Sequence, residues 1–399
     1  MTSKKDIFLI KDFFTVAGVP GLLFLSEQII SFLTSRRRDL QDYSTIDLSA
    51  SIQIAYITIC FVISLYLLLF SKRNQTNLLF RSPQIYLLIF IFICFISMLW
   101  SPSIMITGYR AFEALTYLML ISLVVSRLIE HLSFQDIIEW AILWIIWDLS
   151  WSIAGSIRWE GFSYLYWPFS SARLAIPIFF FLALLLTKRK ILKYVIMTFS
   201  VLSLSNKIFF GIAFGLLGFY YGNIKNKGWL LTLGLITAIS FFIWGDVILE
   251  NTLFYGREGI GMEYTSGRDK IWEVSWDAIT KKPLFGYGFV AGETNIIYNS
   301  FTGAISTHNF ILSGLIGTGI IGTIPLIFYF INAFRIATSK VFKRSKWKAA
   351  FASTIIMAVV VSLTAPGVGF RVYGSWIPVV LVITLISGIK FKAVQELNL

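Results

Sequence analysis

Apolar residues in this chain gather into about twelve runs, at 13–33, 50–70, 84–100, 104–126, 137–154, 173–187, 191–205, 208–223, 229–247, 307–331, 349–365 and 376–390, each near the length that crosses about 30 Å of hydrocarbon. Two of them, 173–187 and 191–205, are short. Glu27 and Gln28 interrupt the first, which either crosses or lies along the interface. The connectors are short and polar, with one long interruption at 248–306. The pattern predicts an all-α polytopic membrane protein, a single membrane domain over 1–399 with one large loop at 248–306.

Basic residues orient such a chain. With both ends cytoplasmic, the connectors holding Lys72, Arg73 and Arg81, then Lys188, Arg189, Lys190 and Lys193, then Lys225 and Lys227, then Arg335, Lys340, Lys343, Arg344, Lys346 and Lys348 all fall inside. Arg36, Arg37 and Arg38 are the exception. The 248–306 loop is then extracytoplasmic, and long loops are largely exempt from the charge rule. No short cleavable signal with a small-residue cleavage site is evident, so the first segment is expected to remain as an anchor.

Within that loop, 267–281 reads as an amphipathic helix at about 100° per residue. Ile271, Trp272, Val274, Ser275, Trp276, Ala278 and Ile279 share one arc, while Asp269, Lys270, Glu273, Asp277 and Lys281 fill the other. Both tryptophans are expected to be buried. Arg268 falls in the apolar arc, where a cation is costly unless an anion meets it. The anion is either a carboxylate such as Glu160 or Glu293, or an anionic ligand.

His308 stands at the start of the apolar run 307–331, with Ser306 and Thr307 as candidate N-caps. A helix N-terminus disfavours imidazolium, so this His is expected to stay neutral and able to accept a proton near pH 7. Beyond it, Gly314, Thr318 and Gly322 recur every four residues, a close-packing seam for a neighbouring helix.

Composition sharpens the class: 57% of the residues are hydrophobic and 14% charged, with a mean hydropathy of +0.76. The net charge of +13 reflects topology and anionic lipid rather than nucleic acid. Cys60 and Cys94 lie in apolar runs and read as small hydrophobes. With two separated His and no Cys cluster, and with the external carboxylates Asp39, Asp42 and Asp47 too loosely spaced, no metal site and no cofactor is expected. Arg110 and Glu113 can neutralise one another on one helix face. Trp140, Trp144, Trp147 and Trp151 form one stripe, for packing, for the lipid interface or for substrate. Asp148 is an intramembrane acid, functional or paired with a neighbouring base.

The order S-G-R-x-x-I-W from Ser266, P-L-x-G-Y-G from Pro283, T-H-N-x-x-L from Thr307 and G-x-G-x-x-G from Gly317 resembles the core signature of the bacterial O-antigen ligase and O-antigen polymerase superfamily, which includes exopolysaccharide polymerases. Arg158-Trp159-Glu160-Gly161-Phe162 is similar to that family's R-x-x-G-F pattern. Ser203-Leu204-Ser205-Asn206-Lys207 resembles the end of its seventh helix, with Lys in place of the usual Arg. Gly367-Val368-Gly369-Phe370-Arg371 supplies a further external cation.

The resemblance implies a GT-C-like membrane glycosyltransferase of the bacterial inner membrane, with its site on the periplasmic side. Its donor would be a glycan on undecaprenyl pyrophosphate, and its acceptor another glycan or lipid A core. Transfer would invert the anomeric centre without metal or nucleotide sugar. Arg268 and His308 would carry the chemistry, and Arg158, Lys207, Arg371, Trp272 and Asn309 would bind substrate. Partners would be membrane lipid and other polysaccharide-assembly proteins. T-H-N-x-x-L with P-x-x-G-Y-G looks closest to the polymerases, ahead of the ligases. A transporter or flippase for the same lipid-linked sugar would instead be expected to show related halves with broken helices.

Overall fold

The computed structural model describes residues 8–34, 48–70, 78–160, 172–202, 215, 216, 218, 268–300, 306–342, 345–364 and 376–397. Their regular structure is helical: α1 (Phe8–Thr34), α2 (Leu48–Phe70), α3 (Gln84–Ile96, continued by a 3-10 turn, Ser97–Trp100), α4 (Ile104–His131), α5 (Phe134–Glu160), α6 (Ala172–Leu186), α7 (Lys190–Leu202), α8 (Arg268–Lys281), α9 (Ala291–Ser300), α10 (Phe310–Ala337), α11 (Ser345–Thr364) and α12 (Trp376–Leu397). Five of these, α2, α4, α10, α11 and α12, are long and apolar enough to cross a membrane. The expected run at 229–247 and most of 208–223 lie outside the described residues.

Two helices, α4 and α12, carry buried side chains on nearly every face. They form the centre. α12 packs on α4, α5, α6, α10 and α11, and α4 also receives α1, α2 and α3. α2 lies on the flank, exposing Tyr66, Leu69 and Phe70. The tryptophan stripe of α5 packs against α1: Phe24 stacks on Trp144 at 5.2 Å, and Trp147 donates to Leu25 O. Arg110 and Glu113 pair at 2.9 Å. Asp148 lies within electrostatic reach of Glu27, and among the described residues no basic side chain pairs with it.

Basic residues collect at one end of the bundle. Lys392 of α12 donates to Ile129 O and Leu132 O where α4 runs out, satisfying carbonyls a helix end leaves open. Arg189 meets the buried Glu139 at 2.9 Å, and Glu139 also accepts from Lys188 N–H and Thr187 Oγ1. Arg81 sits 3.7 Å over the Phe391 ring.

The run expected as one span at 307–331 is a helical hairpin. The Phe310 and Phe330 ring centroids are 4.9 Å apart, whereas twenty residues of unbroken helix would separate them by about 30 Å. A Cβ on Gly314 would come within 2.9 Å of Thr323 Oγ1, so the two arms pack face to face. The reversal is at Gly319, with φ 66° and ψ −167°, a conformation only glycine enters without strain. The second arm, 320–337, spans about 27 Å at 1.5 Å per residue and runs antiparallel to α3, with Tyr86 stacked on Phe328. The expected small-residue seam therefore closes mainly on the chain itself: Gly314 faces Thr323 of the returning arm, and Gly322 faces Thr318 of the first arm, with Ile93 of α3 next to it.

A break in a helix orphans backbone groups, and in an apolar bundle each must find a partner. The loop 283–288 supplies them. Tyr287 N–H donates to Ile316 O at 2.7 Å and Gly288 N–H to Gly317 O at 2.9 Å, while Ile320 N–H and Ile321 N–H donate to Pro283 O and Leu284 O. The motif Pro283–Gly288 is thus a backbone plug for the break. A Cβ on Gly319 would sit 2.1 Å from Leu284 O, and one on Gly286, at φ 65°, 2.4 Å from Ile316 O.

Gly319→Ala and Gly286→Ala are each expected to destabilise by at least about 2 kcal/mol, read as a lower apparent Tm in detergent. Gly317→Ala, whose Cβ would find 3.4 Å of clearance from Phe289 Cα, is expected to stay within about 1 kcal/mol of wild type. Equal melting of all three variants would refute the plug.

Candidate functional site

α8 lies beside the first arm of the hairpin. Ile271, Ser275, Ala278 and Ile279 are buried, an i, i+4, i+7, i+8 stripe, and Ile279 packs with Leu312 and Ile316. The stripe is narrower than the arc expected from sequence, and Trp276 falls on its flank, 55% exposed rather than buried. Trp272, on the same flank, is also exposed rather than buried, at 37%, and is held by one directed bond: its Nε1 donates to Thr307 O at 2.9 Å. The opposite face carries the exposed pair Lys281–Asp277 at 2.5 Å, whose hydrogen bond raises the Lys281 pKa above its ordinary value. That charged face has to meet water.

After the plug, the chain anchors to the start of α4 and the end of α3. Phe289 N–H donates to Ser97 Oγ, Phe289 O accepts from Thr107 Oγ1, and Trp100 Nε1 donates to Phe285 O. Val290 follows at φ 58°, an outlier for a β-branched residue. The tight turn there is closed by Ala291 N–H donating to Phe289 O at 2.6 Å. α9 then carries Glu293 into the interior with no exposed surface.

The tripeptide Thr307-His308-Asn309 is held at every backbone group that the surrounding bonds describe. Thr307 N–H donates to Glu293 Oε1 at 2.6 Å and Thr307 O accepts from Trp272. His308 N–H donates to Ser306 Oγ at 3.1 Å, Asn309 N–H to Thr307 Oγ1 at 3.3 Å, and Asn309 O accepts from Ser313 N–H at 2.9 Å. Ser313 Oγ donates to Glu293 Oε1 at 2.9 Å. In this cradle His308 adopts φ 54°, a strained value for a residue with a Cβ, costing about 1–3 kcal/mol and persisting only because its surroundings enforce it.

The cap is not where the sequence suggested. Asn309, not Ser306 or Thr307, is the N-cap, its Oδ1 accepting from Ile311 N–H at 3.0 Å and Leu312 N–H at 3.3 Å. Ser306 and Thr307 are used one step earlier, to fix the backbone of the cap itself. His308 consequently precedes a short arm, 310–318, rather than opening a full span. The Phe310–Phe330 contact places that arm's start about 15 Å along the bundle from the hairpin turn.

Of the residues expected at the site, the structure brings Trp272, His308 and Asn309 together. Arg268 is the first residue of α8, one turn ahead of Trp272; its side chain and that of Arg158 lie outside the described residues, as do Lys207 and Arg371. Glu293, for which the sequence offered only a pairing with Arg268, joins the cradle directly. A carboxylate set between Phe289-Val290-Ala291 and Ile296-Ile297 is the signal that marks it. Among the described residues no three His, Cys, Asp or Glu side chains converge to hold a metal. No family model and no curated protein matches the chain.

The cap assignment gives Asn309 a structural duty that serine can share. Asn309→Ala is expected to cost about 1 kcal/mol and Asn309→Ser only a few tenths, measured as apparent Tm in detergent. Equal destabilisation by both would show that the cap is not what Asn309 contributes.

Proposed function

We propose that the protein is a metal-independent, inverting membrane glycosyltransferase that moves a glycan from undecaprenyl pyrophosphate to an acceptor glycan, as an O-antigen or exopolysaccharide polymerase. The observation that carries the reading is the cradle of Thr307-His308-Asn309, which spends several buried polar groups on holding one histidine at φ 54°. A histidine needed only for packing does not require that strain. The ordered motifs S-G-R, P-L-x-G-Y-G and T-H-N, which the chain shares in pattern with the O-antigen ligase and polymerase superfamily, support the same reading.

In this scheme His308 takes the proton of the attacking acceptor hydroxyl. The hydroxyl oxygen bonds to the anomeric carbon from the face opposite the leaving group, and the carbon–oxygen bond to pyrophosphate breaks with its electron pair leaving on the phosphate. Arg268, with Arg158, Lys207 and Arg371, neutralises the departing diphosphate. General-base help of about 10² to 10⁴ corresponds to roughly 3–5 kcal/mol of barrier. Twelve membrane crossings, with the basic end of the bundle in the cytoplasm and the loop holding α8 and α9 in the periplasm, complete the proposal.

A defined lipid-pyrophosphate glycan incubated with purified protein tests it. A ladder of products on a gel is expected; a single shift appearing only on added lipid A core would make the protein a ligase, and no transfer in either assay would refute the reading. His308→Ala is expected to lose at least about 10²-fold in turnover while keeping donor binding. Arg268→Lys is expected to be nearly as impaired as Arg268→Ala, since the bidentate fork is lost. Wild-type turnover in either His308→Ala or Arg268→Lys would remove that residue from its role.

A further inference from the structure

We infer that Glu293 is a positioning residue for His308, a role that rests on the proposed transfer reaction. Its single atom Oε1 accepts from Thr307 N–H at 2.6 Å and from Ser313 Oγ at 2.9 Å. The first partner immediately precedes His308 in the chain, and the second lies in the first turn of the arm that follows. One carboxylate oxygen therefore ties together the two sides of the strained residue.

Both donors reach the same oxygen at hydrogen-bond distance. Burial of the whole side chain keeps water from competing for either donor. Thr307 Oγ1, 2.9 Å from Ser313 Oγ and bonded to Asn309 N–H, closes the ring of contacts. With both flanks fixed, the direction of the His308 Cα–Cβ bond is set by Glu293 through the backbone. The feature that matters is the reach of an acceptor oxygen to two donors. A shorter side chain with the same charge cannot reach both.

The test compares Glu293→Gln, which keeps an acceptor oxygen at the same reach, with Glu293→Asp, which keeps charge but is one methylene short. Each is purified in detergent, and kcat and KM for the lipid-pyrophosphate glycan are measured beside wild type and His308→Ala. Glu293→Gln is expected to keep kcat within about threefold. Glu293→Asp is expected to lose at least about tenfold in kcat, with donor KM unchanged within about twofold.

A second readout does not depend on transfer. In a His131→Asn background His308 is the sole histidine, and its rate of acylation by diethyl pyrocarbonate, followed near 240 nm, reports the setting of its ring. That rate should match wild type in Glu293→Gln and differ at least about threefold in Glu293→Asp. An active Asp variant, an inactive Gln variant, or equal acylation rates in the two would each overturn the inference. If His308→Ala is itself active, the base role of His308 fails, and the acylation rates still decide whether Glu293 positions the histidine.

Discussion

The organisation of this end of the molecule follows from one constraint: a helix broken inside an apolar bundle leaves backbone groups that no water can satisfy. The plug of residues 283–288 answers it with main chain rather than side chains, giving two N–H groups to one arm of α10 and two carbonyls to the other. Backbone can approach that closely only where no Cβ intervenes, as Gly286 and Gly319 show on the two sides of the contact. A side-chain plug would have brought rotamer freedom to a place where the geometry has to be single-valued.

From the plug the order spreads in both sequence directions. Upstream, α8 is seated by Tyr287 Oη donating to Ala278 O and by Ile279 against Leu312 and Ile316. Downstream, Phe289 is pinned to Ser97 and Thr107, and α9 delivers Glu293 beneath the tripeptide that precedes the hairpin. The site is thus assembled from three segments: α8, α9 and the first arm of α10 with the tripeptide before it.

This explains what the sequence disclosed and what it withheld. The placing of α2 to α6, α11 and α12 was legible because long apolar runs have few alternatives in a membrane, and the start of α8 at Arg268 was legible because its charges and apolar positions alternate at the helical period. Hydropathy, however, measures how much chain is apolar and not which way it runs, so a hairpin and a span look alike. The spacing of Gly314, Thr318 and Gly322 suits a seam against another helix or against the chain's own returning arm, and only the φ of Gly319 separates the two. The cap slipped by two residues because Ser306, Thr307 and Asn309 are all competent, and the competition is settled by Glu293, fourteen positions before Thr307. Trp272 and Trp276 fall in the predicted arc by helical angle, but the buried stripe is narrower than that arc and leaves both exposed.

The same geometry bears on the kind of substrate such a site could take. The cradle at His308 is polar and interior, whereas the chain around the hairpin turn exposes Leu99, Leu284, Phe285, Ile320 and Ile321. Apolar groups left exposed there are at home against hydrocarbon. A soluble nucleotide sugar would gain nothing from that rim. In the proposed transfer, a lipid-linked diphosphate would partition its tail along the rim while its head moved toward the histidine, so that the apolar surface contributes to binding.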